Sequence, residues 1–589
     1  MSRMNIIRGI VLFLFLFSVI FFTFSPSEVI FNSPDENANA VFAWQFAEDS
    51  MLAMPTDFDQ VWNVLVHPRS TLVVSSSPSS FKEGIGVVID SSDRIVPISF
   101  MGLSIFAGLI ASIFGNWSIV LVTPMLALLA IIAWRKSIYR IFDNNRLADL
   151  AALFLMIHPA FWHYTGRTMM HNVGFVSLLI IAFYLFVNQP FREYWKNKWH
   201  LDEIFAGLSL GLALGFRSSE VLWITSIVAA LLIWKYASIG YKRMLIFIIS
   251  MIIMISPFLA LNNALYGASW ETGYTVESEI LPLPKGEIAA PVIALEERRL
   301  EGVAVETGTE FAVDAEAGVI IEGVAVDQID ESLPGILGVL FPFGIHEMNI
   351  LRNVWDYGFL LYPWMSGLSI LGLIFVFKKK EWRPWIIAAI GLSIWLVLVY
   401  GSWKFSDNPD ASILTIGNSY ARYWLPLFIL ASIFAATAVD RISSWIERRR
   451  LPYASSFPWL IVFIVVLFSS RLVIWGVDGF VQTHQNLESF IEKKNIVLEQ
   501  TPDDSIIVVD MADKYLFPGR NVMTPLRDDQ VYAYIPEMVD VTDVYYFGIT
   551  LPEVDIEYLE TVVFINSGLV LDEIVTIGDE TLYQINKNN

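Results

Sequence analysis

The 589-residue chain contains no cysteine, which removes disulfides, thiolate catalysis and cysteine-ligated metals from its repertoire and leaves its redox compartment open. It is also poor in charge. Only 16% of the residues are Asp, Glu, Lys or Arg, against 55% hydrophobic and 14% aromatic, with a mean hydropathy of +0.55. A water-soluble chain of this length does not carry so little polar surface, so the natural solvent is a bilayer. There is no glycine-rich loop to cradle phosphates, no zinc-spacing motif and no internal repeat of about 20 to 50 residues. The simplest nucleotide-binding, zinc-finger and solenoid readings fall with them.

What the chain has in abundance is long apolar runs. Segments near 5–24, 117–134, 147–162, 172–188, 203–216, 219–236, 244–262, 358–377, 384–401, 423–440 and 457–476 approach the roughly 18 to 20 apolar residues that cross a hydrocarbon core of about 30 Å. The fold expected is therefore mainly α, a polytopic helical membrane protein with about eleven transmembrane helices. Arg3 and Arg8 precede the first run, which lacks a small-residue cleavage site, so it reads as an uncleaved signal anchor.

The net charge of −21 argues against nucleic acid as a partner, and its distribution sets an orientation. With the N-terminus cytoplasmic, the segments 135–146, 189–203, 235–243, 378–383 and 440–450 fall on the same side as Arg3 and Arg8. Together these positions hold about half of the 38 basic residues, as the positive-inside rule requires. The acids then lie outside, chiefly in 25–97, 263–357 and 477–589. The apolar stretch 98–115 would invert every later loop if it crossed, so it is expected to lie in, or dip into, the outer leaflet. The implied location is the plasma membrane.

The division expected is a transmembrane domain over 1–476 and an extracytoplasmic α/β or α+β domain over 477–589, large enough for one small core. In the latter, 486–498 reads as a helix and 505–510 and 561–565 as strands. The first outer loop, 25–97, opens on Asn32, Ser33, Pro34, Asp35 and Glu36, an N-cap signature for an amphipathic stretch over 37–47. A serine-rich strip, 75–80, reads as a connection. The loop over 263–357 carries an insert, 286–330, with eleven acids against Arg298 and Arg299. It reads as a solvated appendage with short strands, or as a substrate-binding lid.

Four clusters can carry chemistry. Asp35 with Glu36, just beyond the first helix, can take a proton from a hydroxyl or bind a metal while the lipid part of a substrate stays in the bilayer; the plainer reading is a solvated acidic pair. In the turn 163–172, Arg167, His163 and His171 can hold a phosphate or polarise a sugar oxygen, since a guanidinium offers a planar fork of donors and stays charged. An interfacial anchor and packed histidines are the alternative. Arg217 in 217–220 and Arg422 in 418–423 sit at the outer ends of helices, where each can meet a phosphate headgroup or snorkel to the interface.

An N-terminal helix, a long first outer loop opening on an Asp-Glu pair, and a second outer turn after the third helix together resemble the GT-C class of glycosyltransferases. That class includes protein O-mannosyltransferases, aminoarabinose transferases and the catalytic subunit of oligosaccharyltransferase. The segment Tyr164 to Asn172 is similar to the family's second-loop motif. Glu271, Thr272, Gly273 and Tyr274, and the pair Arg422–Tyr423 before Trp424, Leu425 and Pro426, resemble family members as well. The resemblance spans most of 1–476, through short motifs. It implies inverting transfer of a sugar from a polyprenyl-phosphate donor to a glycan, lipid or protein acceptor on the outer face. Asp35 would be the general base and Glu36 would position it or the sugar. Arg217 and Arg422 would meet the leaving lipid phosphate, and Arg167, His171, Glu271 and Tyr423 would complete the substrate-binding group.

One departure bears on cofactors. Where metal-dependent members place a carboxylate in the second outer loop, this chain has His171 and Asn172. A hard divalent ion prefers oxygen ligands, so no metal and no other cofactor is expected. Trp355 to Gly358 spell part of an oligosaccharyltransferase signature, but beside a helix rather than in a soluble domain, and read as coincidence. A transporter or lipid-linked-saccharide flippase is the alternative from another class. Transporters place ionisable groups near midplane in interrupted helices, whereas here the apolar runs are nearly charge-free and the polar clusters gather at one end. A scaffold displaying the C-terminal domain is a third reading, in which Asp35 and Glu36 would be dispensable.

Overall fold

A computed structural model of the protein describes residues 3–24, 28–55, 66–74, 94–195, 199–275, 320–321, 324–325, 344–403, 405, 407, 413–450, 454–524 and 534–588. The chain opens with α1 (Arg3–Phe24), α2 (Pro34–Asp49), a three-stranded antiparallel sheet of β1 (Met54–Pro55), β2 (Thr71–Val74) and β3 (Arg94–Pro97), and α3 (Gly102–Phe114). The helical body follows as α4 (Ile119–Phe142), α5 (Asn145–Met156), α6 (Pro159–Gly166), α7 (His171–Asn188), α8 (Pro190–Trp195), α9 (Leu201–Phe216), α10 (Val221–Ile239) and α11 (Tyr241–Tyr266). After a two-residue pairing of β4 (Ile320–Ile321) with β5 (Val324–Ala325), it resumes as α12 (Glu347–Trp355), α13 (Pro363–Val376), α14 (Arg383–Ser402), α15 (Ser419–Tyr423), α16 (Leu425–Arg448) and α17 (Phe457–Trp475).

Each of the eleven apolar segments contains helix, but segments and crossings are not the same thing. Among the described residues six helices are individually long and apolar enough to span a membrane. Two bent pairs raise this to eight if each pair is one span: 201–216 with 218–230, bent by 115°, and 347–360 with 363–376, bent by 95°. Local chemistry explains the breaks. Pro159 cannot donate to the preceding turn and starts a new helix after His158, so 145–166 is two short pieces. Arg217 leaves helical geometry at the end of α9. The 13 residues of α3 cover about 20 Å at 1.5 Å per residue, too short to cross, and α3 packs along α2. The protein is a multi-pass membrane protein.

Close helix contact is written as small residues. Gly207, Gly211 and Gly215, four apart on α9, leave so little room that an added Cβ would lie within 2.3–2.6 Å of the Phe247 carbonyl, the Met251 carbonyl and the Phe258 ring across the α11 interface. Such stripes let backbones approach where no hydrophobic effect drives association. At one end of the bundle, the basic residues expected to share a side pair with buried acids: Arg8 and Arg135 with Asp149, Arg146 with Asp440, and Arg243 with Glu203.

Beyond α17 a break at Gly476–Gly479 leads into α18 (Phe480–Gln500). A mixed sheet follows, built from β6 (Ile506–Val509), α19 (Asp513–Leu516), β7 (Asn521–Met523), α20 (Ile535–Val539), β8 (Val544–Ile549), α21 (Glu553–Tyr558), β9 (Leu569–Ile577) and β10 (Glu580–Lys587). Its strand order is β7-β6-β8-β10-β9. The fully buried β6 runs parallel to both neighbours, and β10 is antiparallel to β8 and β9. The helix and the first strand lie where the sequence places them. The second strand does not. Residues 559–563 form a helical turn continuing α21, with Phe564 buried behind Leu559 and Val563, so the apolar face of 561–565 packs as helix; the sheet is completed by β9 and β10. The strip 75–80 and the insert 286–330, apart from the β4–β5 pair, lie outside the described residues.

A single apolar cluster joins the first loop to the C-terminal sheet: Phe42, Leu72 and Val96 share it with Leu516, Phe517 and Phe547. The sheet is therefore seated on α2 and its neighbouring strands, which places it over the polar end of the bundle.

Candidate active site

The site starts with a helix N-terminus. Ser33 is in extended geometry and its hydroxyl accepts from the Glu36 N–H, while Glu36 Oε2 accepts from the backbone N–H groups of Asn32 and Ser33. This is a complete capping box, with Pro34 in the first turn. The cap fixes the directions of two successive acids. Glu36 turns toward Arg167, which grips it with Nε and Nη2, each at 2.9 Å. Asp35 turns the other way: its Oδ1 accepts from Ser70 Oγ at 2.6 Å and its Oδ2 from Arg422 Nη1 at 3.1 Å. Both acids and Arg422 are buried, and the Arg167 side chain is largely covered.

Arg422 is held in turn. Its Nη2 donates to Ser419 Oγ at 2.9 Å, and Ser419 donates both its hydroxyl and its N–H to Asp407. Asn418 caps the short helix α15, its side chain accepting from the Tyr420 N–H. The neighbouring Tyr423 ring is the meeting point of two guanidinium groups. Arg422 Cζ lies 5.3 Å from its centroid, and Arg217 Cζ, at the bend between α9 and α10, lies 4.6 Å from it. Tyr423 itself stacks on Tyr400 at 4.7 Å and on Phe405 at 5.2 Å.

Arg217 is 3% exposed. Its Nε donates to Glu220 Oε1 at 3.0 Å and its Nη2 to the Tyr400 hydroxyl, which donates to the same Glu220 oxygen at 2.6 Å. Two buried guanidinium nitrogens, Arg217 Nη1 and Arg422 Nε, have no hydrogen-bond partner among the described residues. Buried donors are rarely left unpaired in a finished structure, so a site with such orphans is suited to an acceptor-rich guest. Phe100 separates Arg217 from His171: the guanidinium is 5.8 Å from the Phe100 centroid, and the His171 ring meets Phe100 edge-on at 5.6 Å.

Asp35, Arg422, Tyr423 and Arg217 thus converge, with His171 one ring away. Glu36 and Arg167 are adjacent but occupied with each other, so the Arg167 fork expected to meet phosphate is spent largely on the helix cap. Glu271 stands apart, half-buried in the turn after α11, with no described hydrogen bond to the group. Its neighbour Tyr274 reaches the cluster by an edge contact on Phe100 at 5.6 Å. His163 is packed flat against Phe480 at the foot of α18. Trp355 to Gly358 lie at the bend between α12 and α13, where only Tyr357, its ring tilted against Tyr420 at 5.0 Å, approaches the cluster.

Several participants escaped the sequence reading. Tyr400 sits at the end of an apolar helix, and Phe100 and Ser70 are ordinary residues in unremarkable context. Asp407, in the polar run after α14, was the one with a signal, an acid following a long apolar segment. A half-open cavity lies beside the cap, lined by Phe22, Phe31, Trp117, Arg167, Glu36 and Phe480 among others, but Asp35 does not line it. Among the described residues no group of three His, Asp or Glu could hold a metal ion.

No protein-family model matches the sequence, and no curated protein matches it either. Solved structures do match. The chain superimposes on ArnT from Cupriavidus metallidurans bound to undecaprenyl phosphate with a TM-score of 0.52 at 10% identity, covering 97% of each chain. The apo form of that protein gives 0.49 at 11% identity over the same shares. The apo oligosaccharyltransferase of Archaeoglobus fulgidus gives 0.49 at 11% identity, over 92% of this chain and 69% of that one. Both are GT-C glycosyltransferases. With 97% of each chain aligned to ArnT, the chain has the GT-C membrane fold.

Proposed function

We propose that the protein is a membrane glycosyltransferase that moves a sugar from a polyprenyl-phosphate carrier to an acceptor hydroxyl, with inversion, on the extracytoplasmic side of the plasma membrane. The observation that carries this reading is the convergence, at one end of the bundle, of a buried carboxylate with two buried arginines that retain unpaired donors. Asp35 is the general base. A carboxylate offers about four lone-pair directions, and Asp35 uses two, on Ser70 and Arg422, leaving acceptor capacity for a hydroxyl proton. Arg422 and Arg217 take the lipid phosphate as it leaves. Its charge develops in a partly dry site, where preorganised donors act strongly. Tyr423, between the two guanidiniums, keeps them apart and oriented, and His171 lines the approach. Glu36 and Arg167 fix the helix that carries Asp35, and Glu271 faces the sugar or the acceptor from the edge of the site.

Metal independence belongs to the same reading. The charged partner of the Asp35 carboxylate is the Arg422 guanidinium at 3.1 Å, a cation where a divalent ion would need a second acid. The ArnT structure holds undecaprenyl phosphate, which supports a lipid-phosphate donor here. The cytoplasmic N-terminus and exported C-terminal region follow from the charge distribution.

The test is transfer of radiolabelled sugar from polyprenyl-phosphate sugars to endogenous acceptors, in membranes holding equal amounts of wild type or Asp35→Asn. The expected result is transfer by the wild type and its loss in the variant. An active variant would remove Asp35 from the mechanism, and no wild-type transfer from any donor would move the weight to lipid transport.

A further inference from the structure

The hydroxyl that holds Asp35 belongs to a residue in an unfavourable backbone state. Ser70 has φ of +62°, in the left-handed region that side chains other than glycine and asparagine seldom adopt. Such a conformation persists only where the surroundings determine it, and here the determinants come from the C-terminal sheet. The preceding residue, Arg69, donates its backbone N–H to Asp513 Oδ2 at 2.9 Å and its Nε to both Asp513 oxygens at 3.1 Å, with Nη2 on the same carboxylate. Asp513 is fully buried at the start of α19. On the far side the Ser70 carbonyl accepts from the Ile98 N–H at 3.1 Å, tying the turn to the end of β3.

The same short segment reaches the other partner. Asn37, two residues after Asp35 in α2, donates its Nδ2 to the Phe517 carbonyl at 3.1 Å. Residues 513–517 therefore grip both elements that meet in the Ser70–Asp35 hydrogen bond, the turn at 69–70 and the first turn of α2. Tyr515, Leu516 and Phe517 are buried in the apolar cluster that joins the two regions, so the grip has a rigid base.

We infer that Asp513, in the C-terminal region and far from Asp35 in sequence, is a positioning residue for Asp35: through Arg69 it holds the Ser70 hydroxyl on the carboxylate and so sets where that carboxylate points. The C-terminal sheet is on this account a structural part of the reaction centre. The inference rests on the glycosyltransferase reading for its catalytic half, and its structural half stands by itself.

The experiment uses the full-length protein in detergent or nanodiscs, with Asp513→Asn compared against Asp510→Asn. Asp510 is a second carboxylate of the same sheet region, beside Met511, whose carbonyl and sulfur Arg69 also meets, but its own carboxylate is bonded to the Tyr546 hydroxyl and the Ile549 N–H and not to Arg69. Hydrogen exchange reads the clamp directly. Asp513→Asn should speed exchange over 66–74 and 33–40 while β8 keeps its protection, and Asp510→Asn should leave both segments slow. Transfer kinetics read the catalytic half. Displacements of about 1 Å cost up to about 10²-fold in rate, so kcat should fall by about ten- to a hundredfold at little changed donor KM. A hydrogen bond to a carboxylate favours its charged form, so loosening Ser70 should also move the acid limb of the pH–rate profile to higher pH. A mere loss of folded protein would lower the rate equally at every pH. Unchanged exchange at 66–74, an unmoved acid limb, or the same response in Asp510→Asn would overturn the proposal. A wild type that transfers no sugar would overturn the parent reading and the catalytic half with it, leaving exchange to decide the clamp.

Discussion

Replacing Arg422 by glutamine separates two jobs that one guanidinium performs in the proposed mechanism. Arg422 Nη1 is 3.1 Å from Asp35 Oδ2, with both groups buried. Removing one partner of a buried ion pair leaves an uncompensated charge at a cost of about 3–5 kcal/mol. A carboxylate escapes that cost by taking a proton, so the acid limb of the activity profile should move to higher pH. The lost contact with the leaving phosphate is a different effect: it lowers the high-pH plateau and does not respond to pH. Removal of a preorganised donor to developing charge costs about 10²–10³ in kcat elsewhere, and a plateau drop of that size is expected. The assay is initial transfer rate across pH 6 to 9 with purified wild type, Arg422→Gln and Arg422→Lys. The lysine variant keeps the charge but cannot fork to Asp35 and Ser419 together, so its limb should stay near that of wild type while its plateau falls. If Arg422→Gln kept the wild-type limb, the ion pair would not govern Asp35 and the reasoning would be refuted.

Two further outcomes follow from packing and charge away from the chemistry. Gly372 lies where α13 crosses α16, and a Cβ built on it would sit 1.8 Å from the Phe434 carbonyl oxygen; Gly372→Ala should force the helices apart and destabilise by about 1–3 kcal/mol, seen as a lower thermal midpoint in detergent, and an unchanged midpoint would contradict the packing. Lys514, partly buried over the Phe490 ring, has its pKa pushed down to about 8 by burial and then by the nearby Arg69. Between about pH 8 and 10.5 the unfolded chain then holds a proton that the folded one has lost, so wild-type stability should rise with pH across that window. Lys514→Met should abolish this rise and stabilise the protein at pH 7 by up to about 3 kcal/mol, which thermal unfolding at the two pH values would check.

Local patterns proved readable wherever one element's own residues decide the outcome. The run Asn32 to Glu36 announces a capped helix because cap and acids lie within one turn, and the capping box is formed as written. The strand at 506–509 and the helix at 480–500 follow from short-range periodicity. The segment 561–565 misled because a short apolar run has no period of its own, and the neighbouring α21 drew it into helix. Pairings were not readable. The arginine that meets Asp35 is 387 residues away, the one that meets Glu36 is 131 away, and the hydroxyl that holds Asp35 is 35 away. Arg167 and Arg422 looked alike in sequence, yet one secures a helix cap and the other faces Asp35.

By itself the sequence determined that this is a multi-pass membrane protein with its polar chemistry gathered away from apolar helices, because hydropathy and charge are properties of composition and a bilayer sorts them without reference to contacts. Only the tertiary structure decided which helices bend, which arginine serves which acid, and that a carboxylate from the C-terminal sheet reaches back to the turn beside Asp35. Those outcomes depend on distances between segments remote in the chain. A buried charge is tolerated only where a partner is brought to it, and folding, not sequence proximity, supplies the partner.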